Sequence, residues 1–299
     1  MRKSWQWPPG TRWSGWPVVS DWRPGPAWLF CPANRPDRYR KALAAADVVI
    51  LDLEDAVAPG SKVGARSDVV ALARAGTLDR SRTVLRVNAA GTGEHAADLE
   101  LASAVGFDRV MLAKAEDPGD VRPIKHGVVA LIESPLGVER VSAVAESRNV
   151  VGLMWGADDL VAGLGGTSSR HPDGQYRDVA TFVRQRVLLA CKAHGRLALD
   201  AVHMNYPDLD GLSQACEDAA ATGFDASVAI HPSQLGVIKA AYTPSPDRLD
   251  WARRLLGHVG DFRGVTTFEG RMVDGPIYLQ AERMLQARPT TTARKTGEV

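Results

Sequence analysis

The chain has 299 residues, 45% of them hydrophobic, which is enough for one large barrel or two modest domains with a sizeable core. Its 36 Lys and Arg residues nearly balance its 35 Asp and Glu residues, which argues against binding to nucleic acid or to an anionic membrane. The three cysteines, Cys31, Cys191 and Cys216, form no CxxC pair, so no disulfide framework or zinc knuckle is indicated and a reducing cytoplasm is expected.

Residues 1–26 are rich in Trp, Pro and Gly and show neither helical nor strand periodicity. The charged pair Arg2 and Lys3 is not followed by a continuous apolar stretch, and no segment of the chain approaches the length of a membrane span. We interpret residues 1–26 as an arm outside the core, which could pack on a neighbouring subunit or be a plain extension.

From residue 27 onward, short apolar runs rich in β-branched residues alternate with longer, Ala-rich amphipathic stretches. Most of the runs are apolar on both faces, as buried parallel strands are. The predicted strands cover residues 28–31, 48–53, 83–87, 109–113, 128–132, 150–154, 197–201 and 226–230. The predicted helices between and after them cover residues 35–45, 62–75, 94–104, 136–146, 176–194, 208–222 and 232–241.

This alternation predicts an α/β protein with a TIM (β/α)8 barrel over residues 27–243. A doubly wound sheet is the alternative, but it would need a Gly-rich turn after the first strand, where residues 32–35 read Pro-Ala-Asn-Arg. Residues 244–299 carry no further strand signal. Helices predicted at 246–256 and 276–286 make this tail a C-terminal helical extension.

Polar residues at the ends of the predicted strands are the first candidates for chemistry, because active sites of such barrels lie at the C-terminal ends of the strands. Glu133 ends the fifth strand, and Asp158 or Asp159 follows the sixth. Two carboxylates on neighbouring strands can converge on one cation, and ligation by oxygen favours Mg²⁺. The alternative is that these acids cap helices or pair with Arg and Lys.

Arg86 ends the third strand and directs a positive charge to the same mouth of the barrel. It can bind a carboxylate or stabilise an enolate oxygen. Its alternative role is an ion pair with Glu54 or Asp52, which follow the second strand together with Asp55. Glu54 and Asp55 are further catalytic candidates.

Other possible catalytic side chains have weaker support. His203 and His231 lack the spacing of metal ligands, and hydrogen bonding around the site is the expected role of each. Ser134 and Cys31 lie in no GxSxG elbow and have no evident His base, so covalent catalysis is not expected.

Several stretches, in order and with sensible spacing from about residue 27 to about residue 287, carry a resemblance to a known family. They are Leu29-Phe-Cys-Pro-Ala-Asn-Arg35-Pro-Asp-Arg-Tyr-Arg-Lys41, Val49-Ile-Leu-Asp-Leu-Glu-Asp-Ala56, Leu85-Arg-Val-Asn88, Met111-Leu-Ala-Lys114 and Ile230-His-Pro232. The chain resembles the citrate lyase β-subunit-like CoA-ester lyases of the HpcH/HpaI aldolase and citrate lyase superfamily.

The resemblance implies a Mg²⁺-dependent TIM barrel that acts as a homotrimer or hexamer on a CoA-thioester substrate. By motif, Glu133 and Asp159 become the metal ligands, Asp159 being preferred to Asp158 because the second acid of a Gly-Ala-Glu-Asp-Leu pattern binds metal in the family. Arg86 becomes the substrate-binding arginine. The spacing of Phe30, Arg35 and Lys41 matches residues that contact CoA.

The resemblance also gives the tail a role, because residues 269–276 are similar to a lid segment that covers a neighbouring subunit's site. Asp274 is therefore expected to act as acid or base at the thioester α-carbon, with the N-cap of the last helix as the alternative.

The family implies a lyase that cleaves or forms the Cα–Cβ bond of a 3-hydroxyacyl-CoA such as citramalyl-, malyl- or 3-hydroxy-3-methylglutaryl-CoA. Three alternatives stay open: an acyl-CoA thioesterase on the same scaffold, the β subunit of a multi-component citrate lyase, and a non-catalytic metabolite-binding barrel. Ser134-Pro135-Leu136 replaces a Thr-Ala-Arg type sequence after Glu133, and this departure leaves the acyl group undetermined.

Overall fold

The computed structural model describes residues 22–261 and 264–286. Eight parallel strands close into a barrel in chain order, with β8 paired to β1. They are β1 Ala27–Pro32, β2 Val48–Asp52, β3 Thr83–Val87, β4 Arg109–Leu112, β5 Gly127–Ile132, β6 Val150–Trp155, β7 Leu197–Asp200 and β8 Ala226–Ala229. The predicted (β/α)8 barrel is therefore confirmed, and each predicted strand agrees with the structure to within one residue at either end.

The helices lie between and after these strands. They are α1 Pro36–Ala45, α2 Lys62–Arg74, α3 His95–Val105, α4 Pro118–Val121, α5 Pro135–Glu146, α6 Ala157–Gly163, α7 Asp178–Ala193, α8 Leu209–Thr222, α9 Leu235–Ala241, α10 Pro246–Val259 and α11 Gly275–Gln286. The short helices α4 and α6 are absent from the sequence prediction. None of the helices in the described ranges is both long and apolar enough to cross a membrane.

The centre of the barrel is filled by large apolar side chains from successive strands. Trp28, Ile50, Met111 and Leu199 belong to this cluster and are fully shielded from solvent. Burial of each such side chain stabilises the fold by roughly 1.5–3 kcal/mol. The filled centre leaves the polar strand ends at the mouth as the place where a ligand can bind.

The chain divides into two compact units, with the division between Lys239 and Ala240. The second unit has its own apolar cluster, which includes Leu255, Val273 and Tyr278. It also contains a hairpin of β9 Thr266–Phe268 and β10 Arg271–Val273, so the expectation that the tail carries no strand is wrong. The domain boundary at 243/244 stays a prediction, and most of the predicted arm lies outside the described residues.

Candidate active site

One cavity of about 750 Å³ lies at the C-terminal ends of the barrel strands. It brings together residues that are far apart in sequence but were all selected as site candidates. These are Phe30, Lys41, Asp55, Arg86, Glu133 and Asp159. Their convergence in a single cavity is the geometric basis for a candidate active site.

Glu133 follows β5 and is 4% exposed. Its Oε1 accepts a hydrogen bond of 2.9 Å from the backbone N–H of Lys114, which fixes the carboxyl group at the floor of the cavity. Burial, and then the negative charge of Asp159, raises the pKa of Glu133 to about 7. Glycine is required at position 156, because a Cβ there would lie 2.8 Å from Glu133 Oε2.

Two adjacent acids begin helix α6, and they have different surroundings. Asp158 accepts a hydrogen bond of 2.8 Å from the Oγ of Ser169. Asp159 has a side chain that is 45% exposed, and its Oδ1 lies 3.7 Å from Lys114 Nζ. The arrangement favours Asp159 as the carboxylate available to a ligand, although its assignment as a metal ligand stays a prediction.

The donor set fits magnesium better than a transition metal. Across residues 22–261 and 264–286, no three or more His, Cys, Asp or Glu side chains are grouped so that they could hold a metal. Mg²⁺ is commonly bound by one or two carboxylates, with water or substrate completing its coordination. Burial is the main cause of the raised pKa of Glu133, and the charge of Asp159 adds to it; a divalent cation bound by these two residues would relieve the repulsion between them.

Arg86 is held from two sides at the mouth of the barrel. It donates through Nε to Asp52 Oδ1 at 2.6 Å and through Nη2 to Asp52 Oδ2 at 2.5 Å. Its Nη1 lies 3.1 Å from Glu54 Oε2, so the ion pair with Glu54 or Asp52, given above as the alternative role of Arg86, is formed with both acids. The guanidinium also stands 4.6 Å from the centre of the Phe30 ring. Since a guanidinium has five N–H groups, two remain for a ligand in the cavity.

Lys114 is a central residue that the sequence prediction did not include among the site residues. Its Nζ donates to Glu54 Oε1 at 2.5 Å and lies 3.5 Å from Asp55 Oδ2 and 3.7 Å from Asp159 Oδ1. Its backbone has a φ of +49°, an uncommon value for a residue with a side chain. The motif at residues 111–114 gave its place at a strand end, but nothing in the sequence gave its bridging contacts.

Glu54 is 6% exposed and is not among the residues that line this cavity, and its catalytic role stays a prediction. Burial raises its pKa, while the positive charges of Arg86 and Lys114 act in the opposite direction. Glu54 therefore connects the two basic residues of the site.

The residues predicted to contact CoA are divided by the structure. Phe30 and Lys41 line the cavity, and Arg38 on the same helix as Lys41 lines it as well. Arg35 does not line it, and its guanidinium makes bonds of 2.9 and 2.8 Å to the exposed carboxylate of Asp37. A role of Arg35 in binding CoA stays a prediction.

The other candidates have structural explanations. The Oγ of Ser134 accepts a hydrogen bond from the N–H of Gly137 and so caps α5. Burial raises the pKa of the Cys31 thiol to about 11, which disfavours the nucleophilic thiolate. His231 is hydrogen-bonded through Nδ1 to Ser233 Oγ at 2.7 Å. The hydrogen bond expected of His203 is not formed to any protein group in the described ranges.

Asp274 lies in the second unit, between β10 and α11. Its carbonyl oxygen accepts a hydrogen bond of 3.1 Å from the N–H of Tyr278, so it stands at the start of the last helix. Its catalytic role stays a prediction.

Comparison with known proteins identifies the family of the chain. The model of the HpcH/HpaI aldolase/citrate lyase family matches residues 27–232. A citrate lyase subunit β-like protein of Mycobacterium tuberculosis is 50% identical over 270 residues, which cover 90% of this chain and 97% of that protein. The mitochondrial citramalyl-CoA lyase of Rattus norvegicus is 29% identical over 293 residues, covering 88% and 85%.

A similar solved structure is that of the protein CitE from Mycobacterium tuberculosis in complex with magnesium, acetoacetate and coenzyme A. The two superpose with a TM-score of 0.83 at 51% sequence identity, covering 88% of this chain and 98% of that one. The residues matched by the family model, 27–232, include all eight barrel strands. The chain is therefore a carbon–carbon lyase and belongs to the HpcH/HpaI aldolase/citrate lyase family.

Proposed function

We propose that this chain cleaves or forms the Cα–Cβ bond of a 3-hydroxyacyl-CoA in a Mg²⁺-dependent reaction that interconverts the thioester with acetyl-CoA and a keto acid. The observation that carries the proposal is the paired carboxylates Glu133 and Asp159 facing Arg86 in one cavity. Further support comes from the CitE complex with magnesium, acetoacetate and coenzyme A.

Glu133 and Asp159 would hold the cation. When bound, Mg²⁺ would lower the pKa of the substrate's β-hydroxyl group and neutralise the charge that develops near it. The backbone N–H of Lys114 keeps the Glu133 carboxyl group in place, and the ammonium of Lys114 attracts Asp159 from the side. Lys114 thus contacts both carboxylates, Glu133 through its backbone N–H and Asp159 through its ammonium group.

Arg86 would stabilise the enolate. Transfer of the β-hydroxyl proton to a solvent water would form the carbonyl of the keto acid, break the Cα–Cβ bond and leave its electron pair on the acetyl-CoA enolate. The two N–H groups of Arg86 that are not used by Asp52 and Glu54 would donate to the enolate oxygen. Because both acids hold the guanidinium in place, little reorganisation is needed during the reaction.

The CoA moiety would extend toward helix α1. Phe30 offers an aromatic surface beside Arg86, while Lys41 and Arg38 add positive charge to the same cavity. Phosphate groups are readily bound by such cations. Arg35 would join them if its contact with Asp37 opens in the complex.

Protonation of the enolate carbon would come from Asp274 of a neighbouring subunit in a homotrimer or hexamer, with Glu54 and Asp55 tuning the charge around the metal. The support for this step is the similarity of residues 269–276 to the family's lid segment. We also propose that the protein acts in the cytoplasm, since the three cysteines are free and buried.

The acyl group belongs to the class of citramalyl-, malyl- and 3-hydroxy-3-methylglutaryl-CoA. These differ near the metal by a methyl or methylene group, and such a difference is worth only about 1–3 kcal/mol in a pocket. A panel of these thioesters assayed with Mg²⁺ and with EDTA would test the proposal, with keto acid and acetyl-CoA measured as products.

We expect Mg²⁺-dependent release of both products from at least one thioester, and its loss in Glu133→Gln. The exposed Glu139→Gln on α5 is the matched control and should retain activity. Release of free CoA with an intact hydroxy acid would identify a thioesterase instead. Cleavage only after addition of an acyl carrier protein would identify a citrate lyase β subunit, and no cleavage of any thioester would defeat the proposal.

A further inference from the structure

A second cavity of about 300 Å³ lies in the barrel unit, beside the first one. Its lining comes from the first residues of α6, from the segment before α7 and from the segment that follows β7. It shares Ala157, Asp158, Val202 and Met204 with the metal-facing cavity but contains neither Glu133 nor Asp159. The reaction proposed above makes no use of its polar residues.

His203 lines this cavity, and its side chain is 10% exposed. Neither ring nitrogen has a hydrogen-bond partner in the described part of the protein. The Oδ2 of Asp208 lies 3.4 Å from Nε2, within ion-pair distance, and its negative charge favours the protonated ring. Burial, and then the positive charge of Arg170, lowers the pKa of His203, so near pH 7 the ring is neutral and offers one donor and one acceptor. A buried polar group without a partner is costly unless a ligand or water satisfies it.

Arg170 is the guanidinium of the same cavity. Its charge lies 3.6 Å from the centre of the Tyr176 ring, and its Nη1 donates to the carbonyl oxygen of Gly174 at 2.6 Å. An antiparallel bridge between Arg170 and Tyr176 fixes the backbone around it. Within residues 22–261 and 264–286, Arg170 is half-buried and forms no ion pair with a carboxylate, so four of its five N–H groups remain for an anion.

Two acids also line the cavity, and each already accepts a hydrogen bond. Asp158 accepts from Ser169, and Asp208 accepts from the backbone N–H of Gly211 at 2.9 Å. Neither takes a donor of Arg170. Their negative charges weaken the attraction of the cavity for any anion. What favours a hydroxy or oxo acid over a simple inorganic anion is the hydroxyl or keto oxygen, to which His203 can form a hydrogen bond.

We propose that this cavity is a separate binding site for a short-chain hydroxy or oxo carboxylic acid, with Arg170 binding the carboxylate and His203 bonding to the hydroxyl or keto oxygen. A water molecule takes about 30 Å³ of liquid volume, so the cavity has room for roughly ten non-hydrogen atoms. Val202 and Met204 supply the apolar surface that the carbon chain contacts. The site does not depend on the lyase proposal, because neither metal nor thioester takes part.

Calorimetric titration of the full-length, EDTA-treated and dialysed protein with L-malate would test the site, with succinate as the ligand that lacks the hydroxyl group. We expect saturable binding of L-malate, weaker binding of succinate, and a loss of L-malate affinity of about 10- to 100-fold in Arg170→Met. Arg140→Met removes an exposed arginine that pairs with Asp117 and should bind as wild type does. His203→Leu should remove the preference for L-malate over succinate while circular dichroism shows an intact fold.

Arg86→Lys separates the two cavities, since it alters the metal-facing cavity and leaves Arg170 in place. Binding that persists in Arg86→Lys and falls in Arg170→Met supports the second site. Binding that falls in Arg86→Lys and persists in Arg170→Met would place the acid in the metal-facing cavity and overturn the proposal. Absence of saturable binding, or binding unchanged in both variants, would overturn it as well. If Arg170→Met does not fold, Arg170→Gln and His203→Leu provide the same comparison.

Discussion

Replacing Gly156 with Ala should weaken Mg²⁺ binding while the barrel stays folded. The added Cβ would lie 2.8 Å from both the Cβ and the Oε2 of Glu133, closer than such carbon atoms approach in folded proteins. Gly156 has a φ of −115°, which any residue adopts, so the effect is a collision and not backbone strain. The collision falls on a carboxylate that is 4% exposed and fixed by the N–H of Lys114.

The magnitude follows from the cost of an extra methyl group in a well-packed site, about 1–3 kcal/mol. If Glu133 moves to relieve the contact, this energy appears as weaker metal binding of about 5- to 150-fold, since 1.4 kcal/mol corresponds to a factor of ten. If Glu133 stays in place, the same energy appears as lower stability. The loss of Mg²⁺ affinity and the loss of stability should therefore add up to about 1–3 kcal/mol.

The assay is the Mg²⁺ concentration that gives half-maximal activity, measured beside the thermal melting of the metal-free protein. Gly64→Ala in α2 is the matched control, because a Cβ there meets no atom within 4 Å and should leave Mg²⁺ dependence unchanged. Its melting temperature should stay the same or rise, since Ala is favoured over Gly in helices by up to about 1 kcal/mol. Unchanged Mg²⁺ dependence and unchanged melting of Gly156→Ala would refute the argument.

Three further predictions concern buried titratable groups of the barrel. Arg86→Ala should lower turnover by a factor of about 10²–10³. It should also lower the unfolding free energy by about 3–5 kcal/mol, because the carboxylate of Asp52, which is 1% exposed, loses its ion pair with Arg86. Wild-type kinetics or wild-type urea melts would each contradict this. Asp200→Asn should reduce stability without changing KM, because the carboxylate accepts from Trp155 Nε1 at 2.7 Å and does not line the metal-facing cavity; a selective rise in KM would contradict it. Burial, and then the positive charge of Arg170, lowers the pKa of His203 below its ordinary 6.5. The unfolded chain therefore binds this proton more readily than the folded protein, and stability is lost as the pH falls below about 6.5. His203→Gln should therefore lose less unfolding free energy than wild type between about pH 7.5 and about pH 5.5, and an equal loss in urea melts would count against it.

The barrel could be predicted from sequence because buried parallel strands are short apolar runs with polar residues at their ends. The first strand reads Trp-Leu-Phe-Cys and the third Thr-Val-Leu-Arg-Val, and both lie where they were expected. Shorter elements gave no such signal. The three-residue strands β9 and β10 are too short for a period of two, and the glycines around α6 mask a helix of seven residues.

For the site, sequence predicted which residues lie at the mouth of the barrel but not the contacts that they form. Strand-end position places Glu133, Arg86 and Asp55 at one mouth, and the structure brings all three to one cavity. Contacts depend on geometry that sequence does not carry. Sequence offered Asp52 or Glu54 as the ion-pair partner of Arg86, and in the structure Arg86 contacts both. Lys114 has a left-handed backbone, which has no sequence signature. Its N–H donates to Glu133 and its ammonium group donates to Glu54.

The charges of the metal-facing site are not balanced, and their distribution bears on how a substrate would lie. Five carboxylates lie there, those of Asp52, Glu54, Asp55, Glu133 and Asp159. Among the described residues, the cations Arg86 and Lys114 form ion pairs with the first three and with Asp159, while Glu133 accepts a hydrogen bond from the backbone N–H of Lys114. An excess of negative charge around the ends of strands β2, β5 and β6 is what a divalent cation would offset.

The additional positive charge of the cavity lies on α1, at Lys41 and Arg38. A ligand with phosphates at one end and a hydroxy acid at the other matches this separation in a single orientation, with its phosphates toward α1 and its hydroxyl toward Glu133. Reversing the charge at position 41 with Lys41→Glu should therefore raise the KM for the thioester more than it changes kcat, and an effect on kcat alone would argue against this orientation.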